Sequence, residues 1–356
     1  MQVLHQGGGA GSVTSTLHLS IGLQRAGFQV RFVCPPESEV EAQARAGGLE
    51  VHPVRLEARR RWRNASRLHR LLQAHPVDLV NSQSSRDRSA LAWLALIGRL
   101  RAPLVVTRRQ MPRTLTAENW LVSRLASRVV AVSPAVAAAL ARRGTSRDKL
   151  VVIANGLVTS RVDVSVPPAT LDYWRRLIRW EPSRRIVGIV ARLKDQAVVL
   201  RALGQVDTPV RLVLAGVDSA SDLSRIAGRV PARHAVVLLP FIPDVRPLYD
   251  LLELALLPSR IEGMSQALLE AMALGKPVIA SAAAGNLDLI THGVDGLLVD
   301  PVDPASWARA ITELLSDSGR AGRMAAAARD TARNRYALDR TIQATAELYR
   351  TLLAEA

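Results

Sequence analysis

Strand-length apolar runs alternate with Ala/Leu-rich amphipathic segments along almost the whole chain, and few folds accommodate that rhythm. In the first half the apolar runs fall at 2–5, 29–34, 77–81, 103–107 and 129–133, with helical stretches between them at 13–26, 38–47, 64–74, 87–98, 117–126 and 134–143. Strands separated by helices predict a parallel, doubly wound α/β sheet. The rhythm breaks over 157–180, around SVPPAT, which is read as a connection between domains. It then resumes with RIVGIVA, VRLVLAG, AVVLLP, LALLP, PVIAS and GLLV, with helices at 195–203, 220–228, 264–274, 304–316 and 319–335 and a last amphipathic helix at 338–354. A chain of 356 residues is long for one α/β domain, so two are expected. The predicted division is 1–165, 166–335 and a C-terminal helix, 336–356, packing back on the first domain. Two Rossmann-like domains facing across a cleft would put ligands at the strand ends.

Aromatic residues make up 4% of the chain, so the core must be aliphatic. A single cysteine, Cys34, excludes an intrachain disulfide and a thiolate metal cluster. There is no uninterrupted apolar stretch of about 18 residues, the length a spanning helix needs. The start MQVLHQGGG reads directly as a strand, and the expected location is cytoplasmic, with association at the inner face of the membrane. The net charge of +16 is uneven: residues 1–165 hold 24 Lys and Arg against 10 Asp and Glu, and the remainder 23 against 21. Arg-rich composition explains the scarcity of Lys. The asymmetry points instead to an anionic partner for the first half.

The sharpest chemical signal is PSRIEGMSQALLEAMALGKPVIAS, residues 258–281. A strand leads into a loop presenting Glu262 and Gly263. A helix expected from Met264 carries Glu270 and stops at Gly275, which suits the residue after a helix end. The N–H groups of Gly263, Met264 and Ser265, aided by the helix dipole, would form a phosphate site. A glycosidase pair does not fit: eight helical residues rise roughly 12 Å, beyond the roughly 5–9.5 Å between glycosidase carboxyls. The two carboxylates fit two ends of one elongated ligand better. Taken alone, Glu270 also reads as a solvated helix residue.

The E-x7-E pattern with Gly after the first Glu, followed by EAMALGKPVIAS, resembles glycosyltransferase family 4. The resemblance extends through RVVAVSPAVAAALARRG and KLVVIANGL in the first half, then IVGIVARL, RLVLAG, FIPDVRPLYDLLELALLPSRIEG and HGVDGLLVDPVDPASWARAI in the second. It implies a GT-B fold, a nucleoside-diphosphate sugar donor (UDP- or GDP-linked) and retention at the anomeric carbon. It gives Glu262 the hydroxyls of the transferred sugar and Glu270 the ribose. It assigns the diphosphate to Arg192 and Lys194. The segment ARLKDQAVVLRAL is shorter than the family's, with Asp195 where Gly is common, and a surface lysine is the plainer reading of Lys194. Cations and helix N–H groups can stabilise charge developing on a leaving diphosphate. The chain contains no Asp-x-Asp, so neither a metal nor any other cofactor is expected. No Ser/His/Asp or Cys/His order stands out.

QGGGAGSVTSTLHL, residues 6–19, follows the first strand and opens a helix. It is a weak dinucleotide signature. By resemblance, Gly9, Gly11 and Ser12 face the donor phosphates; a glycine-requiring turn is the plainer alternative. On the acceptor side, Arg86 and Arg109 lie at expected strand ends. The resembled family often carries His where Arg109 stands. Arg cannot act as a base at neutral pH, so Arg109 is expected to bind an acceptor phosphate while the leaving phosphate takes the acceptor's proton. The Arg59–Arg70 run around Trp62 could lie on an anionic membrane or be a solvated helix face. Nucleic acid is not an expected partner, for want of a binding motif and of stacking aromatics. The expectation is thus a hexosyltransferase acting on an anionic or lipid-linked glycan acceptor in lipopolysaccharide or surface-polysaccharide assembly. A GT-B sugar-nucleotide epimerase and a donor-binding protein without turnover stay open.

Overall fold

The computed structural model describes residues 1–8, 11–112, 115–217 and 222–355, and the chain divides into two compact units. The first unit holds β1 (Gln2–Val3), β2 (Arg31–Cys34), β3 (Glu50–Pro53), β4 (Val80–Ser82), β5 (Leu104–Arg108), β6 (Arg128–Ala131) and β7 (Leu150–Val152). They form one sheet in the order β3-β2-β1-β4-β5-β6-β7, every neighbour parallel. The second unit holds β8 (Arg185–Val190), β9 (Val210–Ala215), β10 (Ala235–Leu239), β11 (Leu254–Leu257), β12 (Val278–Ser281) and β13 (Leu297–Val299). Their order is β10-β9-β8-β11-β12-β13, again all parallel. The expected pair of doubly wound α/β units is therefore present.

The central strands read clearly because parallel sheets are covered on both faces and their strands become continuous apolar runs. Every residue of β9 and of β11 is buried. β3 and β7 are absent from the runs named above. Both are edge strands, and neither buries all of its residues, so their sequences carry polar or short stretches. The break over 157–180 contains a helix, Pro168–Leu177, which starts on a proline and buries Trp174. Proline suits the first helical position, where its missing N–H costs nothing.

Each unit has its own aliphatic core. In the first, Phe32, Cys34 and Leu4 pack with Tyr349 and Leu352 of the helix Leu338–Ala354. In the second, Trp307 is fully buried among Val, Ile and Leu side chains of the sheet and the helix Pro304–Ser316. The first unit comprises Met1–Gly156 together with Leu338–Ala356, and the second Leu157–Ala337. The boundary expected at 165/166 falls inside the second unit. Leu157 donates its N–H to the Tyr336 carbonyl at 2.8 Å, and Arg333 pairs with Asp163 at 2.7 Å. These contacts hold 157–163 to the second unit. Among the described residues no helix is long and apolar enough to cross a membrane.

Candidate functional site

In the second unit β8 is hydrogen-bonded to β9 on one side and β11 on the other. The chain winds outward in opposite directions from this pair, which makes the carboxyl ends of β8 and β11 the switch point where ligands of open α/β sheets bind. Two loops meet there, 191–196 and 258–265. Lys194 forms an ion pair with Glu262, the latter's side chain 13% exposed. Asp195 joins the loops a second time: it accepts from the Arg260 backbone N–H at 3.0 Å and from Arg260 Nε at 3.0 Å. Gln196 is fully buried and closes the shorter loop on itself, accepting from the Lys194 N–H at 2.6 Å and donating to the Arg192 carbonyl at 2.8 Å. The Arg192 side chain is exposed. Burial and the neighbouring Arg192 lower the Lys194 ammonium to about 8, against the pull of Asp195. Contact with the Glu262 carboxylate also favours the charged form.

The loop carrying Glu262 is fixed from behind. Ser259 N–H donates to Ser281 Oγ at 3.0 Å, and Gly285 N–H donates to the Glu262 carbonyl at 3.1 Å. A Cβ on Gly285 would lie 1.8 Å from the Gly263 carbonyl oxygen, so only glycine permits this approach. The helix begins at Gln266, two residues later than expected, because Ser265 Oγ accepts the Leu268 N–H and makes Ser265 the N-cap. Gly263, Met264 and Ser265 thus precede the helix, and Met264 is buried. The helix ends in a Schellman motif: Lys276 N–H reaches Ala271 O at 3.0 Å and Gly275 N–H reaches Met272 O at 2.9 Å, with Gly275 at φ +66°. Lys276 Nζ is spent on the Asp250 and Leu252 carbonyls. Glu270 is half-buried near Tyr249, whose phenol is raised by burial and by the Glu270 charge.

The first unit has its own switch point, between β1 and β4. The structure brings together a His/Ser/Asp group there that no sequence order announced. His5 follows β1, and Ser84 and Asp87 lie at the start of the helix Ser85–Leu96. His5 Nδ1 lies 2.6 Å from Ser84 Oγ and 3.1 Å from Asp87 Oδ1. Asp87 is fully buried and accepts from Ser82 Oγ and from the N–H groups of Gln83 and Ser84, each at 2.8 Å, and from Ser84 Oγ. Burial alone would raise its carboxyl, but the hydrogen bonds from His5 and Ser84 win and lower it. Proton counting then fixes the histidine tautomer. Ionised Asp87 only accepts and the single Ser84 hydroxyl proton goes to it, so Nδ1 carries a proton, and in the neutral imidazole Nε2 keeps the lone pair. Since Ser84 meets Nδ1 rather than Nε2, this is not a nucleophilic relay.

Of the Gly-rich loop, Gly9 lies outside the described residues. Gly11 opens the helix Gly11–Arg25, and Ser12 Oγ donates to Gln6 Oε1 at 3.1 Å. Arg86 is exposed and donates to the Leu56 carbonyl at 2.9 Å. Arg109 is 9% exposed, and its guanidinium donates to Asn155 Oδ1 and, at 3.1 Å, to Gln83 Oε1. Burial lowers it to about 10, with Tyr349 opposing.

Two family models match the chain, Glycosyltransferase Family 4 over residues 9–161 and Glycosyl transferases group 1 over residues 184–317. The chain belongs to the glycosyltransferases, matching family 4 in its first half and group 1 in its second. An uncharacterized glycosyltransferase of Methanocaldococcus jannaschii is 29% identical over 214 residues, covering 58% of this chain and 55% of that protein. A D-inositol 3-phosphate glycosyltransferase of Corynebacterium urealyticum is 33% identical over 194 residues, 50% of this chain and 46% of that protein. The chain thus spans about half the length of these relatives. The crystal structure of HepE from Anabaena in complex with UDP-glucose superposes with a TM-score of 0.86 at 21% identity, over 98% of each chain. That likeness shows the GT-B fold.

Sequence reasoning named Glu262 and Lys194, which the structure pairs, but missed what positions them. Asp195–Arg260, Gln196, Ser281 and Gly285 are distant in sequence or unremarkable in type. For His5 the only signal was a histidine directly after the first strand.

Proposed function

We propose that this chain transfers a sugar from a UDP- or GDP-linked donor to an anionic or lipid-linked glycan acceptor, with retention at the anomeric carbon and without a metal ion, in lipopolysaccharide or surface-polysaccharide assembly. The observation that carries the reading is the Lys194–Glu262 pair at the β8/β11 switch point. It offers a cation for a diphosphate and a carboxylate for sugar hydroxyls within one loop crossing. On donor binding the two exchange each other for substrate: Lys194, with Arg192, takes the phosphate oxygens, and Glu262 the sugar. Glu270 takes the ribose. As the bond from the anomeric carbon to phosphate breaks, its electron pair leaves with the diphosphate, which the two cations stabilise. The leaving phosphate takes the proton of the attacking hydroxyl. HepE is described in complex with UDP-glucose and with UDP, which supports a nucleotide-sugar donor. Relatives named for D-inositol 3-phosphate, a phosphorylated compound, support an anionic acceptor, for which Arg86 is the exposed candidate and Arg109 the buried one.

A panel of UDP- and GDP-sugars, tested in EDTA for protection from unfolding, hydrolysis and transfer to lipid extracts, checks the donor. At least one sugar nucleotide should protect and turn over. If none does either, the reading fails; binding without turnover favours a donor-binding protein, and an altered sugar nucleotide an epimerase. Glu270→Ala should weaken nucleotide binding more than Glu262→Ala, and equal losses count against their assigned roles.

The Lys194 ammonium, lowered to about 8, gives a pH signature. A base below its pKa is charged, so diphosphate affinity is full at pH 7 and falls as pH rises through about 8. Calorimetry should find UDP binding about tenfold weaker once the charge is lost, with no such pH dependence in Lys194→Ala. The same slope in both proteins would remove Lys194 from the phosphate site.

On the acceptor side, the His5 Nε2 lone pair accepts the hydrogen bond of the attacking hydroxyl and orients it. His5→Phe should lower transfer about a hundredfold while leaving UDP affinity unchanged. Equal loss of UDP affinity, or undiminished transfer, defeats this role.

The helix Arg61–Ala74 carries Trp62, 60% exposed, in its first turn, and Arg61 lies over both the Trp62 and Trp93 rings. It is the segment for contact with an anionic membrane. Sedimentation with phosphatidylglycerol vesicles should be salt-sensitive and lost in Trp62→Ser/Arg63→Gln; binding indifferent to both changes refutes the contact.

A further inference from the structure

We propose that Glu50, His52 and His75 form a site for a divalent transition-metal ion, zinc by preference, at the amino end of the first unit's sheet. One ligand atom from each lies within 4.8 Å of the other two. The His52 and His75 rings are 4.4 Å apart and inclined at 50°. His52 Nε2 lies 2.8 Å from Glu50 Oε1.

The fold accounts for this gathering. Glu50 and His52 are two apart on β3, so the pleat directs both to the same face. His75 ends the helix Arg61–Ala74, its N–H donating to Leu71 O at 2.8 Å. Arg31 stands opposite Glu50 in the β2/β3 register. Its Nε reaches both Glu50 oxygens, at 3.0 and 3.2 Å, and its Nη1 donates to the Pro76 carbonyl at 2.5 Å. One guanidinium therefore orients the carboxylate and anchors the residue next to His75. Metal-binding carboxylates are usually held by outer hydrogen bonds of this kind.

The donor set selects the ion. Two imidazoles and one carboxylate suit zinc, cobalt or nickel, whereas magnesium and calcium require a shell of oxygens. Metal–ligand bonds of about 2.0–2.2 Å would draw the three side chains slightly closer, with water completing the coordination. The metal takes the place of the proton on His52 Nε2, which passes to solvent, and the bound ring carries its proton on Nδ1. Glu50 and Arg31 are the first residues of their strands, and His75 precedes β4. The site thus lies at the end of the sheet opposite the His5–Ser84–Asp87 group, and its ion would tie the edge strand to the helix end.

The test is calorimetric titration of the untagged, EDTA-stripped full chain with Zn²⁺, and with Co²⁺ read by its visible absorption. One equivalent should bind and raise the thermal midpoint, and Mg²⁺ should do neither. His52→Gln and His75→Gln should each weaken Zn²⁺ binding by more than about tenfold, and Arg31→Gln by about tenfold, with circular dichroism confirming that each variant is folded. Absence of binding, or binding undiminished in the folded His52→Gln/His75→Gln double variant, overturns the site.

Discussion

The pairing of β8 with β11 is the constraint on which the second unit's site depends. These strands are neighbours in space although two other strands separate them in the chain. The chain leaves this pair in opposite directions, and the two short loops that follow the strands face one another. Such loops would be soft if each stood alone. The contacts of Asp195 with Arg260, of Gln196 with its own loop and of Gly285 with the Glu262 carbonyl remove that freedom. The Lys194–Glu262 pair is thus held by neighbours that are fixed in turn, the condition under which charges act without reorganisation.

How much of this could be read from the sequence follows from how local each feature is. The segment 258–281 was legible because strand, loop, cap and stop succeed one another within it. Gly275 marked the helix end correctly, whereas Ser265 rather than Met264 marked its beginning, and that depends on a single hydroxyl hydrogen bond. The central strands announced themselves by burial on both faces. β3 and β7, at the sheet edges, did not. Nothing local links Asp195 to Arg260, or His5 to Asp87: those pairs exist only because parallel topology sets their strand ends side by side. The boundary near 157 was hidden for the same reason, since the partners of Leu157 and Asp163 lie beyond residue 330.

Charge counting also needed the fold. The first half is strongly basic, yet Arg88, Arg108 and Arg109 are buried. Burial, helped by Arg88, lowers Arg108 to about 9. Arg108 donates to Asn119, and Arg109 to Asn155 and Gln83. These cations stay charged at neutral pH while sitting inside the unit, so part of what composition presents as surface charge shapes the interior instead. The exposed share is concentrated elsewhere, notably around Trp62.

The first unit is discontinuous, since its core includes Tyr349 and Leu352 from the last helix. Tyr349 accepts from Gln2 Nε2 at 3.0 Å and from Asn81 Nδ2 at 2.5 Å, beneath the same strands that carry the His5–Asp87 group. During synthesis the second unit has all its residues as soon as Ala337 emerges. The first has been waiting since Gly156 and lacks part of its core until the helix Leu338–Ala354 emerges. The unit begun first is therefore the second of the two to close, and a ribosome that stops short of Leu338–Ala354 releases one finished unit and one open one.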